Sequence, residues 1–415
     1  MDQSLVNAAD ARPSLLDVDE ARARIIASLP LLRTEHVPLD EAMGRVAAKA
    51  ERARVDSPPF DVSAMDGFAV RAFDVPDAGR ALPVAGESRA GTAPVPALKP
   101  GTCMRIFTGA PVPAGADSII IQEDTERLED GRIRFSAPAV LGGHVRGKGM
   151  SFRTGDVCVR EGRVLTARDV GLLAAAGHAG VDVFRRPRIG VLSTGDELAR
   201  WSRKAGAGQI HDANRPALKS AIRAWGGTPV DLGIVPDDPE AIAEAVKGSA
   251  SDLLVITGGA SVGDYDHVRP ALEASGMRLT FWRIRMRPGK PLLFGELFGL
   301  PVLGMPGNPV SALVCSLLFL RPAIAAMTGA SAAPLFERAT LLAPIGKTGV
   351  RDDYLRARVG YGPNGLVAEA FPVQDSSMLA VMAEASGLIR RKAGAPPAAA
   401  GETVDVLRFD LAGGF

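Results

Sequence analysis

Asp252-Leu253-Leu254-Val255-Ile256-Thr257-Gly258-Gly259 is an unbroken apolar run that stops at two glycines. A strand half exposed to water alternates apolar and polar residues, whereas one buried on both faces need not. The run therefore predicts a strand covered on both sides, with the chain turning where glycine frees the backbone. The same texture recurs around it. Ile189-Gly190-Val191-Leu192-Ser193 is one short apolar strand and Val230-Asp231-Leu232-Gly233-Ile234 another. Helical segments lie between and after them: Arg215 to Trp225, Asp238 to Lys247 with Pro239 suited to a first turn, and His267 to Ser275 before a strand at Leu279 to Arg283. This alternation predicts an α/β unit over residues 186–330, a largely parallel sheet with helices on both faces. Its last helix opens at Asn308, a candidate cap, and Pro309. The apolar stretch Pro309 to Met327 carries Arg321 and Pro322 and reads as a buried helix better than as a membrane span.

Working outward, residues 15–30 have amphipathic spacing through Leu16, Val18, Ala21, Ile25 and Leu29, and Pro30 closes that helix. A second helix is expected from Leu39 to Ala50, with Asp40 as its cap. From residue 52 the texture turns to proline, glycine and short strands such as Cys103 to Phe107, Ser118 to Gln122 and Arg132 to Phe135. Residues 52–153 read as a β domain inserted into a helical one built from 15–51 and 154–185, with a returning helix at Thr166 to Ala176. Residues 331–415 are strand-rich again. Leu355, Ala357 and Val359 alternate as the inward face of a small barrel-like domain.

The chain has 415 residues, with 48 basic and 47 acidic side chains and a formal charge of +1. That balance argues against a dedicated nucleic-acid surface, and 5% aromatic content disfavours a stacking platform for single strands. The three cysteines, Cys103, Cys158 and Cys315, lie far apart and imply neither a disulfide framework nor a metal pair. The start has no basic region followed by an apolar run, so the expected setting is cytoplasmic, with no membrane partner.

Chemistry gathers where the α/β strands end. Gly195, Gly258 with Gly259, and Gly304 with Gly307 follow such ends, where open α/β sheets bind ligands. Each cluster alone is explained by ordinary turn chemistry; three in one domain favour a shared crevice. None matches a dinucleotide fingerprint or a phosphate loop. Acidic residues accompany them: Asp196 and Glu197, Asp237 and Asp238, Asp264 and Asp266. Such carboxylates suit a hard cation held against a phosphate or oxyanion. Asp238 before Pro239 is more simply a helix cap. Arg283, Arg285 and Arg287 alternate on what reads as one face of an extended segment, with Lys290 beyond, and could bind an oxyanion. In the β domain, Asp66 sits before Gly67 in Pro59-Phe60-Asp61-Val62-Ser63-Ala64-Met65-Asp66-Gly67-Phe68-Ala69.

That string, together with Thr108-Gly109-Ala110-Pro111-Val112-Pro113, Ser193-Thr194-Gly195-Asp196-Glu197-Leu198, Gly258-Gly259-Ala260-Ser261-Val262-Gly263, Pro288-Gly289-Lys290-Pro291 and Pro306-Gly307-Asn308-Pro309-Val310-Ser311, strongly resembles the molybdopterin molybdenumtransferase family. The motifs appear in the family order and cover most of the chain. The resemblance implies a multidomain α/β fold: an elongated helical domain with an inserted β domain, a molybdopterin-binding three-layer α/β domain and a C-terminal β-barrel domain. It implies adenylated molybdopterin and molybdate as substrates, molybdenum cofactor and AMP as products, and magnesium as cofactor. It also implies a homodimer with a cleft shared between subunits, and molybdoenzymes or their chaperones as partners.

Residue by residue, the resemblance assigns catalysis to Asp66, Thr108, Glu197, Asp266 and Lys290, with Asp66, Glu197 and Asp266 near the metal. It assigns substrate binding to Gly195, Gly258, Gly259, Ser261, Gly263, Arg283, Arg287, Pro306, Gly307, Asn308, Pro309 and Ser376. The match departs from the family pattern at Val62, at Gln374-Asp375-Ser376-Ser377, and at Met150 and Ser151, which stand where many members carry Glu and Asp. Two other readings stay open: a catalytically weak pterin-binding scaffold, and a hydrolase of another adenylated small molecule.

Overall fold

A computed structural model describes residues 15–91, 95–258, 268–331, 334 and 336–412. His36–Met43 and Lys49–Val183 pack as one unit, and the remaining described residues pack as a second.

The second unit is built on a six-stranded sheet in the order Thr228–Val235, Arg188–Thr194, Leu253–Thr257, Leu300–Met305, Leu293–Leu297, Arg278–Trp282. The first four strands are parallel, as the alternation with helices predicts. Leu293–Leu297 runs antiparallel to both its neighbours, so Arg278–Trp282 points the same way as the first four. The cause is local: only Phe298 and Gly299 separate Leu297 from Leu300, and both take positive φ, 54° and 80°. A two-residue turn of that kind closes a hairpin and leaves no room for a crossover.

Leu253–Thr257 is buried along its whole length. Leu253 and Val255 face one apolar core, with Leu218 and Ile222 of the helix Asn214–Ala224. Leu254 and Ile256 face the other, with Ile242 and Val246 of Pro239–Lys247 and Leu272 of Val268–Ala274. The sheet is thus the middle of three layers, and its central strand needs no polar face. The apolar helix Pro309–Met327 belongs to the first core, 78% buried, as a core helix should be.

The C-terminal region closes as a barrel: Asp352–Gly362, Gly365–Ala370, Glu337–Leu341, Thr403–Arg408 and Gly387–Arg391, the last pairing back to the first. Ala357 packs inside with Ile389, Val404 and Val406, flanked by Leu355 and Val359, as the alternation predicts.

In the first unit, Gly67–Val70 lies between Cys103–Ile106 and Ser118–Ile121. Phe68 and Val70 fill one core and Ala69 another, the period of a strand buried on both faces. The helix Ala167–Ala175 begins at a reciprocal cap in which Thr166 and Asp169 satisfy each other's backbone amides.

The helix expected from Leu39 to Ala50 does not form. Leu39–Glu41 makes a single 3-10 turn, Asp40 caps nothing, and Gly44 takes φ +74°. The Leu39 amide donates instead to Ala179, and Val46 accepts from Phe184. Long-range backbone partners replace a helix too short to hold itself.

Candidate functional site

Three parallel strands end side by side at Thr194, Thr257 and Met305, and a cavity of ≈ 320 Å³ opens beyond them. Its wall includes Thr194, Glu197, Asp212, Asn214, Thr257, Gly258 and the run Pro306-Gly307-Asn308-Pro309. This is the carboxyl edge at which open α/β sheets bind ligands. Glu197, Gly258, Pro306, Gly307, Asn308 and Pro309 are therefore brought together as the motifs suggest. Gly258 is required here: it takes φ +104°, and a Cβ would fall 2.2 Å from the Thr194 carbonyl oxygen. Gly195 lies under the Glu197 carboxylate, where a Cβ would meet Oε2 at 2.5 Å.

Behind the cavity runs a buried polar chain. Ser193 Oγ donates to Asp212 Oδ2 at 2.9 Å and lies 3.2 Å from Thr257 Oγ1. Arg215 donates to both Asp212 oxygens, through its backbone amide and Nε, each at 3.1 Å. Its Nη1 reaches Asp231 Oδ1 at 2.9 Å, and Lys219 holds the other Asp231 oxygen at 2.5 Å. Burial alone would raise the Asp231 pKa, but Lys219, the Gly233 amide and Arg215 outweigh it and hold it below the usual carboxylate range. Arg215 is fully buried, so its charge is tolerable only because two carboxylates surround it. Asp212 and Asn214 were not singled out by sequence reasoning. Their signal was the polar string His211-Asp212-Ala213-Asn214-Arg215, immediately ahead of an amphipathic helix.

Asn308 opens its helix, but its side chain makes no cap; Nδ2 donates to Ser376 Oγ at 3.0 Å. Ser376 is thereby tied to a residue of the cavity wall. Ser377 instead donates to Asp375. Asp238 does cap its helix, accepting from the Ala241 amide at 2.8 Å.

The basic row is not continuous. Arg283 takes φ +68°, which breaks the alternation, and its guanidinium stacks 3.6 Å from the Trp282 ring centroid. Arg285 pairs with Asp17 at 2.9 Å, and Arg287 forms a forked pair with Asp353 at 2.8 and 2.5 Å. Lys290 is half-buried beside Pro291 of the cavity wall and has no carboxylate partner among the described residues. A second, more open recess of ≈ 670 Å³ adjoins the cavity at Leu198. It is lined by Gly195, Asp196, Arg200, Arg203, Lys204 and Gln209, among others. Arg200, Arg203 and Lys204 also have no carboxylate partner among the described residues, so a strong positive charge faces the recess.

In the other unit, Asp66 sits between the strands Val62–Ser63 and Gly67–Val70. Its Oδ1 accepts from both the amide and the hydroxyl of Thr108, each at 2.8 Å. Those bonds, led by the backbone one, hold its pKa below the usual 3.8. The other oxygen accepts no hydrogen bond among the described residues. The stretch carrying Met150 and Ser151 lies against this motif: Val145–Arg146 pairs with Val62–Ser63, and the Lys148 amide donates to Asp61. Met150 is exposed there. Gly259, Ser261, Gly263 and Asp266 lie outside the described residues.

Three family models match the chain: "MoeA N-terminal region (domain I and II)" over residues 16–177, "Probable molybdopterin binding domain" over 190–326, and "MoeA C-terminal region (domain IV)" over 338–409. The molybdopterin molybdenumtransferase of Haemophilus influenzae is 38% identical over 76% of this chain and 78% of its own. Molybdopterin molybdenumtransferase 1 of Mycobacterium tuberculosis is 35% identical over 94% of this chain and 98% of its own. The molybdopterin biosynthesis moeA protein of Pyrococcus horikoshii OT3 superposes with a TM-score of 0.82 at 28% identity, covering 95% of this chain and all of that one.

Proposed function

This chain belongs to the molybdopterin molybdenumtransferase (MoeA) family and has a role in molybdenum cofactor biosynthesis. On that premise we propose that it inserts molybdate-derived molybdenum into adenylated molybdopterin and releases AMP. The observation that carries the reading is the pairing of two hollows at one sheet edge. A narrower cavity backed by buried polar groups adjoins a more open recess faced by Arg200, Arg203 and Lys204. A pterin suits the first. The phosphate-bearing half of the substrate suits the second, where arginine's forked donors match phosphate oxygens.

In this reading Lys290, beside the cavity, attracts molybdate as a point charge. Arg283 and Arg287, the latter already engaged by Asp353, contribute positive field rather than direct contact. Pro306 to Pro309 and Ser376 hold the cavity's far wall in register through the Asn308 bond. Glu197, Asp66 and Asp266 are carboxylates with hard oxygen donors, the kind magnesium takes, and the reading assigns all three to the metal. Bound there, magnesium would offset charge on the adenylate phosphate. Asp66, kept ionised by Thr108, remains an acceptor at neutral pH. The bond that breaks joins the adenylate phosphorus to the bridging oxygen. The attacking oxygen, from molybdate or water, ends on AMP, the bridging oxygen leaves with the pterin's phosphate, and the dithiolene ligates molybdenum by its own chemistry. A homodimer with a shared cleft, a cytoplasmic setting and delivery to molybdoenzymes or their chaperones complete the proposal.

The test is AMP release from adenylated molybdopterin with magnesium, with and without molybdate. Release that depends on molybdate supports the transferase. Release without it, and without cofactor formed, supports the hydrolase. Tight binding with no release supports a scaffold, the reading favoured by the exposed Met150 where a carboxylate is usual.

A further inference from the structure

Two oxygens on residues of the first cavity's wall have no hydrogen-bond partner among the described residues: Thr194 Oγ1 and Asn214 Oδ1. Both side chains belong to residues more than nine-tenths buried, at 2% and 8% exposure. Buried polar atoms are almost always paired, so two orphans on residues of one cavity wall call for a partner, which a bound ligand can supply.

Which end of the Asn214 amide is the oxygen follows from its other end. That end lies 2.7 Å from the Gly307 carbonyl oxygen, which only accepts, so it is Nδ2. The acceptor end is therefore oriented by the protein before any ligand arrives. Thr194 Oγ1 is kept clear by Gly258, where a Cβ would lie 2.9 Å away. The polar neighbours are already occupied: Asp212 accepts from Ser193 and Arg215, and Thr257 sits against Ser193. The wall thus offers an acceptor at Asn214 and, at Thr194, a hydroxyl that can accept as well as donate.

We infer that Thr194 and Asn214 read the 2-aminopyrimidine edge of a pterin, accepting from its exocyclic amino group and adjoining ring N–H. The inference rests on the pterin reading above and names the residues that recognise the ring. A 2-oxo ring would turn a carbonyl oxygen toward Asn214 Oδ1 and leave two acceptors facing each other, so the device rejects as well as selects.

Fluorescence titration of the full chain with pterin and with lumazine, its 2-oxo counterpart, tests it. Wild type is expected to prefer pterin by roughly tenfold or more, the worth of one satisfied buried acceptor. Asn214→Leu, which cannot accept, should bring that ratio to within about twofold, whatever happens to absolute affinity. Asn214→Asp keeps the acceptor but loses the Gly307 bond, and should retain the preference. Thr194→Val should reduce it part-way. The ratio is the readout because a loosened loop would weaken both probes alike. An unchanged ratio in Asn214→Leu overturns the inference, as does a wild type that binds both probes equally or neither. Molybdate-dependent AMP release by the same wild-type protein separates the two levels. Turnover without pterin preference sinks the recognition alone; pterin preference without turnover sinks the transferase reading alone.

Discussion

Thr108 donates twice to one oxygen of Asp66, from its backbone amide and from its hydroxyl, each at 2.8 Å. Two bonds to the ionised form favour that form, so the Asp66 pKa is lowered from 3.8. The sign follows from linkage. The unfolded chain takes up this proton first as pH falls, so the contribution to stability is present above 3.8 and lost as pH falls through the lower folded value. NMR titration should place Asp66 below 3.8 in wild type and nearer to it in Thr108→Val, which keeps the amide bond but loses the hydroxyl. An unshifted Asp66 would remove the reason for the pairing. Asp66→Asn is expected to abolish most turnover while leaving pterin binding intact.

Arg215 is fully buried between Asp212 and Asp231. Removing it strands the buried Asp212 carboxylate without its counter-charge. Arg215→Leu should cost roughly 3–5 kcal/mol, the usual penalty for breaking a buried pair from one side. Urea denaturation measures it. A loss within about 0.5 kcal/mol, typical of a surface site, would mean that Asp212 is satisfied by other groups.

Gly258 closes on the Thr194 carbonyl, 2.2 Å from where its Cβ would be, at φ +104°. Gly258→Ala must move backbone that also forms the cavity wall. It should lower the melting temperature and weaken pterin binding together. A variant with wild-type melting and binding would show that this strand end yields freely.

Arg200, Arg203 and Lys204 are exposed and have no carboxylate partner among the described residues. Replacing all three by alanine should therefore leave folding unchanged. It should weaken AMP binding by about tenfold or more and flatten its dependence on salt, because screened charge is what was lost. Calorimetry at two ionic strengths reads both effects. AMP binding as tight as wild type, with the same salt slope, would place the phosphate elsewhere.

Leu253–Thr257 was legible because burial on both faces writes itself as an unbroken apolar run, and the two cores divide its residues alternately. The barrel's inward residues Leu355, Ala357 and Val359 were legible for the complementary reason, a period of two. The helix expected at Leu39 was misread because the Leu39 amide finds Ala179, far along the chain. Arg283 was misread because positive φ at a non-glycine residue leaves no mark in composition. Within the site, Glu197 and Pro306 to Pro309 stood in recognisable strings. Asn214 did not, since its meaning lies in a bond to Gly307, 93 residues away. Ser376 likewise takes its place from Asn308, 68 residues earlier.

The most direct test of molybdenum insertion is a count made in one reaction vessel. Adenylated molybdopterin, magnesium and a limiting amount of molybdate are incubated with the protein, and AMP is measured beside molybdenum bound in cofactor that activates an apo-molybdoenzyme. Equal amounts of AMP and cofactor-bound molybdenum, both set by the molybdate supplied, are expected. AMP in excess of the molybdate, with no activating cofactor, would contradict insertion and leave hydrolysis as the activity.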